Sequence, residues 1–238
     1  MSEPLVVFVH TPKTAGSTIN ASLAALGPGM AHVEAHKSDT QAFRAMAEQM
    51  AWLSGHVTIT DFQTLLAGLD RPVRYFSVMR DPLAHVRSHY NWLIEIFHKG
   101  PEFYDTHPPH VKAISEAIRA ADRNAPDSIV QMLRRYRGLF LNFQSRFILG
   151  QDFDWRKGRL QAALSRFEYV GDGSDLDSLL QAIKPGLVAA EDVNVSRYHF
   201  DPELFDSPVV TAFLATANAH DIALHARVVK RNRALSAA

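Results

Sequence analysis

Short apolar runs alternate with longer amphipathic stretches over roughly the first third of the chain. Leu5–Val9 and Val73–Met79 are rich in β-branched and aromatic residues, which favours buried strands. The same pattern predicts strands over residues 31–35, 56–60 and, much later, 168–171. Strands that alternate with helices along a chain predict a parallel sheet with helices packed on its faces.

Apolar residues at helical spacing predict the helices. They cover residues 17–26, 40–53, 62–69 (with Asp61 as the N-cap), 111–123, 127–136, 139–149, 155–167, 176–183 and 208–231, and a long helix begins at Pro82. Residues 100–109, rich in proline and histidine, are predicted to form a mobile loop near a cleft. The predicted architecture is one α/β domain over residues 1–238: a nucleotide-binding part (1–100), a mostly helical insertion (101–165) and a C-terminal part (166–238) that completes it.

Composition narrows the classes of function. The chain has 238 residues, 47% of them hydrophobic, with 25 basic and 25 acidic residues. A net charge of zero argues against broad electrostatic binding of nucleic acid, so an anion must be held by a local group of residues. The absence of cysteine excludes disulfides, zinc–thiolate sites and thiol nucleophiles. No apolar run reaches the ~20 residues of a membrane span, and no secretory signal is seen, so a cytoplasmic protein is expected.

Residues 7–18, VFVHTPKTAGST, predict an anion-binding loop between a strand and a helix. Lys13 is followed by small and hydroxylated residues, namely Thr14, Ala15, Gly16, Ser17 and Thr18. Backbone N–H groups at a helix start, hydroxyls and one cation together make a cradle for phosphate or sulfate. The order is not that of the Walker A motif, in which the lysine follows the second glycine. A helix start with a solvated Lys13 is the alternative.

A second cation ends the next clear strand. Arg80 follows Val73–Met79, Pro82 suits a first helical turn, and Ser88 lies about two turns further on. A guanidinium fork and a hydroxyl can hold one phosphate, whereas a surface pair of Arg80 with Asp81 is the alternative.

The spacing of His85 and His89 suggests a metal site, but neither an H-E-x-x-H pattern nor a nearby carboxylate accompanies them. We therefore assign both histidines to a helix face.

Together the two segments resemble those of the sulfotransferases that use 3′-phosphoadenosine-5′-phosphosulfate (PAPS), especially the carbohydrate branch that includes heparan sulfate 2-O-sulfotransferase. Residues 12–18 resemble the loop of that family that holds the 5′-phosphosulfate. Residues 80–90 resemble its R-D-P-x-x-R-x-x-S-x-Y segment, which holds the 3′-phosphate. Weaker similarities follow in the family's order at residues 142–146, 169–179, 194–196 and 221–224.

The resemblance implies a P-loop-like three-layer fold, PAPS as co-substrate, 3′-phosphoadenosine-5′-phosphate (PAP) as product, and no metal. It also implies that Ser196 and Arg197 contact the nucleotide. The chain departs from the family at His85, where an arginine is expected, and Arg87 is the candidate substitute for that phosphate contact.

The chemistry of sulfuryl transfer suggests the roles. Charge builds on the bridging oxygen of the leaving nucleotide, which Lys13 is placed to stabilise. The acceptor hydroxyl needs a base. Gly55-His56-Val57 resembles the strand start that supplies the base in the heparan branch, so His56 is the predicted base. Relatives carry a second histidine where this chain has Ser54, so a helper role there is lost. His10, beside the loop, is the other candidate, either orienting Lys13 or contacting substrate.

The predicted function is a PAPS-dependent sulfotransferase that acts on a hydroxyl, most simply of a carbohydrate or glycoconjugate. A P-loop-type kinase or nucleotide hydrolase is the first alternative. It is disfavoured because Lys13 precedes the glycine and because Arg80 stands where a Walker B aspartate would end a strand. A non-catalytic nucleotide-binding protein of the same fold is the second alternative. The identity of the acceptor and the oligomeric state stay open.

Overall fold

The structure, a computed structural model, describes residues 3–157, 159–190 and 197–236. The chain divides into two compact units. The first comprises Met1–Arg80, Gln144–Asn194 and Leu224–Ala238, and the second comprises Asp81–Phe143 and Val195–Ala223. The first segment of the second unit, Asp81–Phe143, thus begins and ends about 20 residues before the predicted helical insertion of residues 101–165. No described helix combines the length and the apolar character needed to cross a membrane.

The first unit is built on a five-stranded, all-parallel sheet. Its strands are β1 (Leu5–Val9), β2 (Gly29–Met30), β3 (Trp52–Gly55), β4 (Val73–Met79) and β5 (Tyr169–Asp172), in the order β2-β3-β1-β4-β5. Val9, at the end of β1, lies opposite Gly55 on β3 and opposite Ser77 on β4. The chain goes from β1 to one side of the sheet and returns to the other side at β4. Ligands of open α/β sheets bind at such a reversal, beyond the carboxyl ends of the strands.

The helices follow in chain order. They are α1 (Gly16–Leu23), α2 (Thr40–Glu48), α3 (Ile59–Leu65), α4 (Pro82–His98), α5 (Pro101–Asp105), α6 (Pro109–Ala120), α7 (Pro126–Arg135), α8 (Arg137–Phe140), α9 (Phe143–Leu149), α10 (Leu160–Leu164), α11 (Leu176–Ile183), α12 (Pro208–Ala217) and α13 (Ala219–Ser236). Short 3-10 turns cover Ala24–Leu26, Val33–His36, Trp155–Lys157 and Pro202–Asp206.

Helices cover both faces of the sheet because side chains along β1 alternate between two cores. Leu5, Val7 and Val9 belong to a core that includes Phe43 of α2 and Phe62 of α3. Val6 and Phe8 belong to the opposite core. That core also holds Ile19 and Leu23 of α1 and Leu179, Leu180 and Ile183 of α11. The predicted α/β fold, with a parallel sheet flanked by helices, is therefore confirmed.

The second unit is helical and has its own core, to which α4, α6, α7, α8 and α12 contribute. Tyr90 of α4 is fully buried in this core, in ring contact with Phe140, Phe200 and Phe205.

Several boundaries predicted near the site are wrong. The strand expected at 31–35 is absent: β2 ends at Met30, and His32 has a left-handed backbone (φ 59°) that starts the turn Val33–His36. The helix expected at 40–53 ends at Glu48, because Trp52 and Leu53 pair with Val6 and Val7 in the sheet. The strand expected at 56–60 is β3, which ends at Gly55 and so places His56 just after its carboxyl end.

Other helix ends differ for reasons of capping and backbone conformation. Thr58, not Asp61, caps α3, and its hydroxyl accepts a hydrogen bond from the Asp61 N–H. The predicted loop at 100–109 contains α5, which begins at a proline after Gly100. The helix predicted at 139–149 is interrupted near Asn142, whose φ is 51°. The helix predicted at 155–167 is a 3-10 turn followed by α10, and that at 208–231 is split at Asn218 into α12 and α13.

Candidate active site

The chain leaves β1 through a tightly bent loop that leads to α1. Lys13 (φ 67°) and Ala15 (φ 64°) both lie in the left-handed region, which residues with a side chain seldom occupy, while Thr14 between them does not. Such an alternation turns successive backbone N–H groups toward one point and creates a concave anion-binding surface. Ala15 is the N-cap of α1 and makes no side-chain cap, so the positive end of the helix dipole faces the same loop.

Buried contacts hold this loop in place. The Thr14 hydroxyl donates to the Thr11 carbonyl over 2.7 Å, and both residues are buried. Gly16 lies against the ring of His10, where an added Cβ would be 1.7 Å from the His10 Nε2. The small residue in the predicted motif is therefore required by packing. Ala15 and Ser17 are exposed, Lys13 is half-buried and Thr18 is buried.

Three histidines and a glutamate lie next to the loop, at the ends of β1, β2 and β3. The ring centroid of His10 is 4.5 Å from that of His56, which is 5.7 Å from that of His32. The Glu34 Oε1 lies 3.3 Å from the His56 Nδ1 and 3.4 Å from the His32 Nδ1. The other carboxylate oxygen, Oε2, accepts the His56 backbone N–H over 2.9 Å. Glu34 thus holds both the backbone and the ring of His56.

The electrostatics of this group follow from burial and proximity. Burial alone would raise the pKa of Glu34, but the hydrogen bond from His56 and its charge outweigh that effect and lower the pKa to about 2. Burial, reinforced by repulsion from His56 and His32, lowers the pKa of His10 to about 3. His10 is only 7% exposed and neutral at physiological pH, whereas about a third of the His56 side chain (34%) is open to solvent.

Arg80 lies directly after β4, the other neighbour of β1. Its backbone is held by Gln144, whose Oε1 accepts the Arg80 N–H (2.9 Å) and whose Nε2 donates to the Arg80 carbonyl (3.0 Å). Among the described residues of the first unit, none makes an ion pair or hydrogen bond with the Arg80 guanidinium. Asp81 caps α4 by accepting the Ala84 N–H (2.9 Å), so its carboxylate is engaged elsewhere.

Within the first unit, the sheet thus brings the predicted loop at residues 13–18, His10, His56 and Arg80 to one edge, because β3, β1 and β4 are parallel neighbours. In the second unit, Ser88 is buried on α4. Arg197 is exposed, and its carbonyl oxygen accepts a hydrogen bond from the Asn91 Nδ2 (2.9 Å). Ser196, together with the similarity at 194–196, lies outside the described residues.

The remaining residues of the second predicted motif lie in the second unit. His85 and His89 are buried on α4 and their rings contact that of Phe143. Arg87, the candidate substitute for a phosphate contact, lies 3.4 Å from the Asp206 carboxylate.

Sequence reasoning missed three residues of this site: His32, Glu34 and Gln144. His32 and Glu34 fell inside a predicted strand, and nothing in their spacing relates them to His56, 22 residues beyond Glu34. Gln144 belongs to residues 142–146, whose similarity to the sulfotransferases is the one signal in the sequence that points to it.

Comparison with known proteins does not assign the chain to a protein family. No model of a known protein family matches the chain, and no curated protein matches it.

Proposed function

We propose that this protein is a PAPS-dependent sulfotransferase with a P-loop-like three-layer fold, which transfers a sulfuryl group to a hydroxyl of a carbohydrate or glycoconjugate. The observation that carries the proposal is the loop after β1. It combines two left-handed residues, a helix start without a side-chain cap and Lys13, at the point where the strand order reverses. Such a loop suits a phosphosulfate, because its backbone N–H groups can donate hydrogen bonds to the anionic oxygens of that group.

In this mechanism Lys13 acts on the leaving group. Transfer forms a bond between sulfur and the acceptor oxygen and breaks the bond between sulfur and the oxygen that bridges to the 5′-phosphate. That bridging oxygen gains negative charge in the transition state, and PAP leaves with it. A preorganised cation there contributes roughly 10²–10³ in rate, by analogy with oxyanion-hole donors.

His56 is the base in this proposal. Its Nδ1 faces Glu34, so its Nε2 lies on the opposite side of the ring and is the atom that takes the proton from the acceptor hydroxyl. The Glu34 carboxylate orients the ring and stabilises the imidazolium that forms. His10 is a poorer candidate because it is buried against Gly16 and Phe8. Glu34 thereby fills the helper role that the sequence lacks at Ser54.

Arg80 is the proposed contact to the 3′-phosphate. It directly follows the strand next to β1, its backbone makes two hydrogen bonds with the Gln144 side chain, and its guanidinium is not engaged within the described first unit. Comparison of PAP with adenosine 5′-phosphosulfate tests this role, because the latter lacks the 3′-phosphate. Arg80→Ala should weaken PAP binding about 10- to 100-fold, the value of a charge-assisted contact, and leave the other nucleotide unaffected. Equal losses for both nucleotides would remove Arg80 from this role.

The function itself is tested by nucleotide preference and by transfer. PAP without magnesium should raise the melting temperature, and radiolabelled PAPS should label one or more members of a panel of carbohydrate acceptors. Stabilisation by ATP only with magnesium would instead indicate a kinase or hydrolase. PAP binding without transfer to any acceptor would indicate a non-catalytic nucleotide-binding protein.

The matched pair His56→Ala and His10→Ala tests the base. His56→Ala should lower turnover about 10²–10⁴-fold and leave PAP affinity nearly unchanged, because the side chain serves the acceptor. His10→Ala should affect turnover much less. The reverse result, with PAP affinity retained in His10→Ala so that the loop is shown to be intact, would assign the base to His10.

A further inference from the structure

Three metal-ligating atoms converge next to the proposed phosphosulfate loop. They are the Nδ1 atoms of His32 and His56 and the Oε1 of Glu34, all within 4.8 Å of one another. The carboxylate oxygen is 3.3 Å from one nitrogen and 3.4 Å from the other. Around a tetrahedral ion with ligand bonds of about 2.0–2.1 Å, neighbouring ligand atoms are about 3.3–3.4 Å apart. The spacing therefore matches two edges of such a coordination shell.

The surroundings hold the carboxylate in the orientation that this geometry needs. Its second oxygen, Oε2, accepts the backbone N–H of His56, which leaves Oε1 directed at both imidazoles. Gly55 permits this approach, because a Cβ there would be 2.6 Å from Oε2. Hydrogen bonds of this kind, which orient a ligand without touching the ion, are typical of metal sites.

We propose that His32, Glu34 and His56 bind one divalent transition-metal cation of the zinc type. Two imidazole nitrogens and one carboxylate oxygen suit zinc and its neighbours, whereas calcium and magnesium prefer shells made of oxygen. Three protein ligands leave a fourth position open, as in zinc sites that bind water or substrate. This site does not depend on the proposed sulfotransferase activity.

A bound ion has one consequence for the proposed reaction, and this consequence does rest on the proposed function. When a metal occupies the Nδ1 of His56, the neutral ring carries its proton on Nε2. That nitrogen then has no lone pair for the proton of the acceptor hydroxyl. Zinc at this site should therefore inhibit sulfuryl transfer, and a chelator should restore it.

The binding test uses the full chain, freed of metal by dialysis against a chelator and titrated calorimetrically with zinc chloride. One equivalent should bind, and His32→Ala and Glu34→Gln should each lower the affinity at least tenfold. X-ray absorption of the zinc-loaded protein should show nitrogen and oxygen ligands at about 2.0–2.1 Å. Magnesium chloride should not compete.

His36→Ala is the matched control, because His36 is exposed, lies two residues after Glu34 and is not in the group. It should leave zinc affinity unchanged. His32 has an exposed side chain (65%), so its replacement should leave the fold intact, which circular dichroism checks. The proposal is wrong if no stoichiometric zinc binds, or if His32→Ala and Glu34→Gln bind zinc as the wild type does. An equal loss in His36→Ala would also overturn it. Zinc binding without inhibition of transfer would keep the site and remove His56 from the role of base.

Discussion

Replacing Gln144 by methionine tests how firmly the end of β4 is held. Gln144 is fully buried, and its amide closes two hydrogen bonds with the backbone of Arg80, at 2.9 and 3.0 Å. Methionine has a similar length but can make neither bond. Each backbone group left without its partner costs about 1–3 kcal/mol when buried. Because Arg80 is partly exposed, water can reach these groups, so we expect a total loss of about 2–4 kcal/mol.

Urea unfolding measures this loss, and PAP affinity measures its effect on the site. Gln144→Met should lower the unfolding midpoint and also weaken PAP binding, because Arg80 loses its fixed position. Gln181→Met is the control. Gln181, on α11, makes an equivalent pair of hydrogen bonds, with the Leu187 carbonyl (3.0 Å) and the Gly186 N–H (2.9 Å). These two partners lie in a partly exposed turn after α11. Its loss should be about 1 kcal/mol, with PAP affinity unchanged. Equal losses in the two variants, or a loss below about 0.5 kcal/mol for Gln144→Met, would refute the reasoning.

Three further variants probe the loop and the second core. Gly16→Ala should destabilise the protein by about 1–3 kcal/mol in calorimetry, since its Cβ would overlap the His10 ring; an unchanged melting temperature contradicts this packing. Lys13→Ala should lower turnover about 10²–10³-fold while PAP affinity changes only a few-fold; equal losses would show ground-state binding instead. Burial raises the pKa of Tyr90 to about 12. The free energy of unfolding should therefore keep the full Tyr90 contribution below the unfolded-state pKa of about 10. Between pH 10 and 12 it should decline by roughly 2–3 kcal/mol as a result of this one side chain. Tyr90→Phe should remove that part of the decline in urea titrations at pH 8 and 11.5, and an undiminished decline would contradict it.

The sequence pattern alone determined those helices and strands in which local propensity and burial in the folded protein favour the same structure. Leu5–Val9, Val73–Met79 and Leu176–Ile183 have the predicted bounds, because continuous or periodic apolar residues are buried in just that pattern. The loop between β1 and α1 was also predictable, since the apolar run ends at Val9 and is followed by polar and small residues that do not continue a strand. The parallel sheet followed from the alternation of strands and helices.

The tertiary structure decided what depends on contacts between distant residues. β3 was displaced from its predicted position because Trp52 and Leu53 gain backbone partners on both neighbouring strands, which outweighs their helical periodicity. Glu34 reaches His56 only because β2 and β3 end side by side, and Gln144 reaches Arg80 across 64 residues of chain. Local propensity carries no information on such pairings. These pairings are selected by the burial and hydrogen bonding of the whole unit. For this reason the sequence indicated the loop after β1 and His56, but only the tertiary structure brings Glu34, His32 and Gln144 next to the predicted residues.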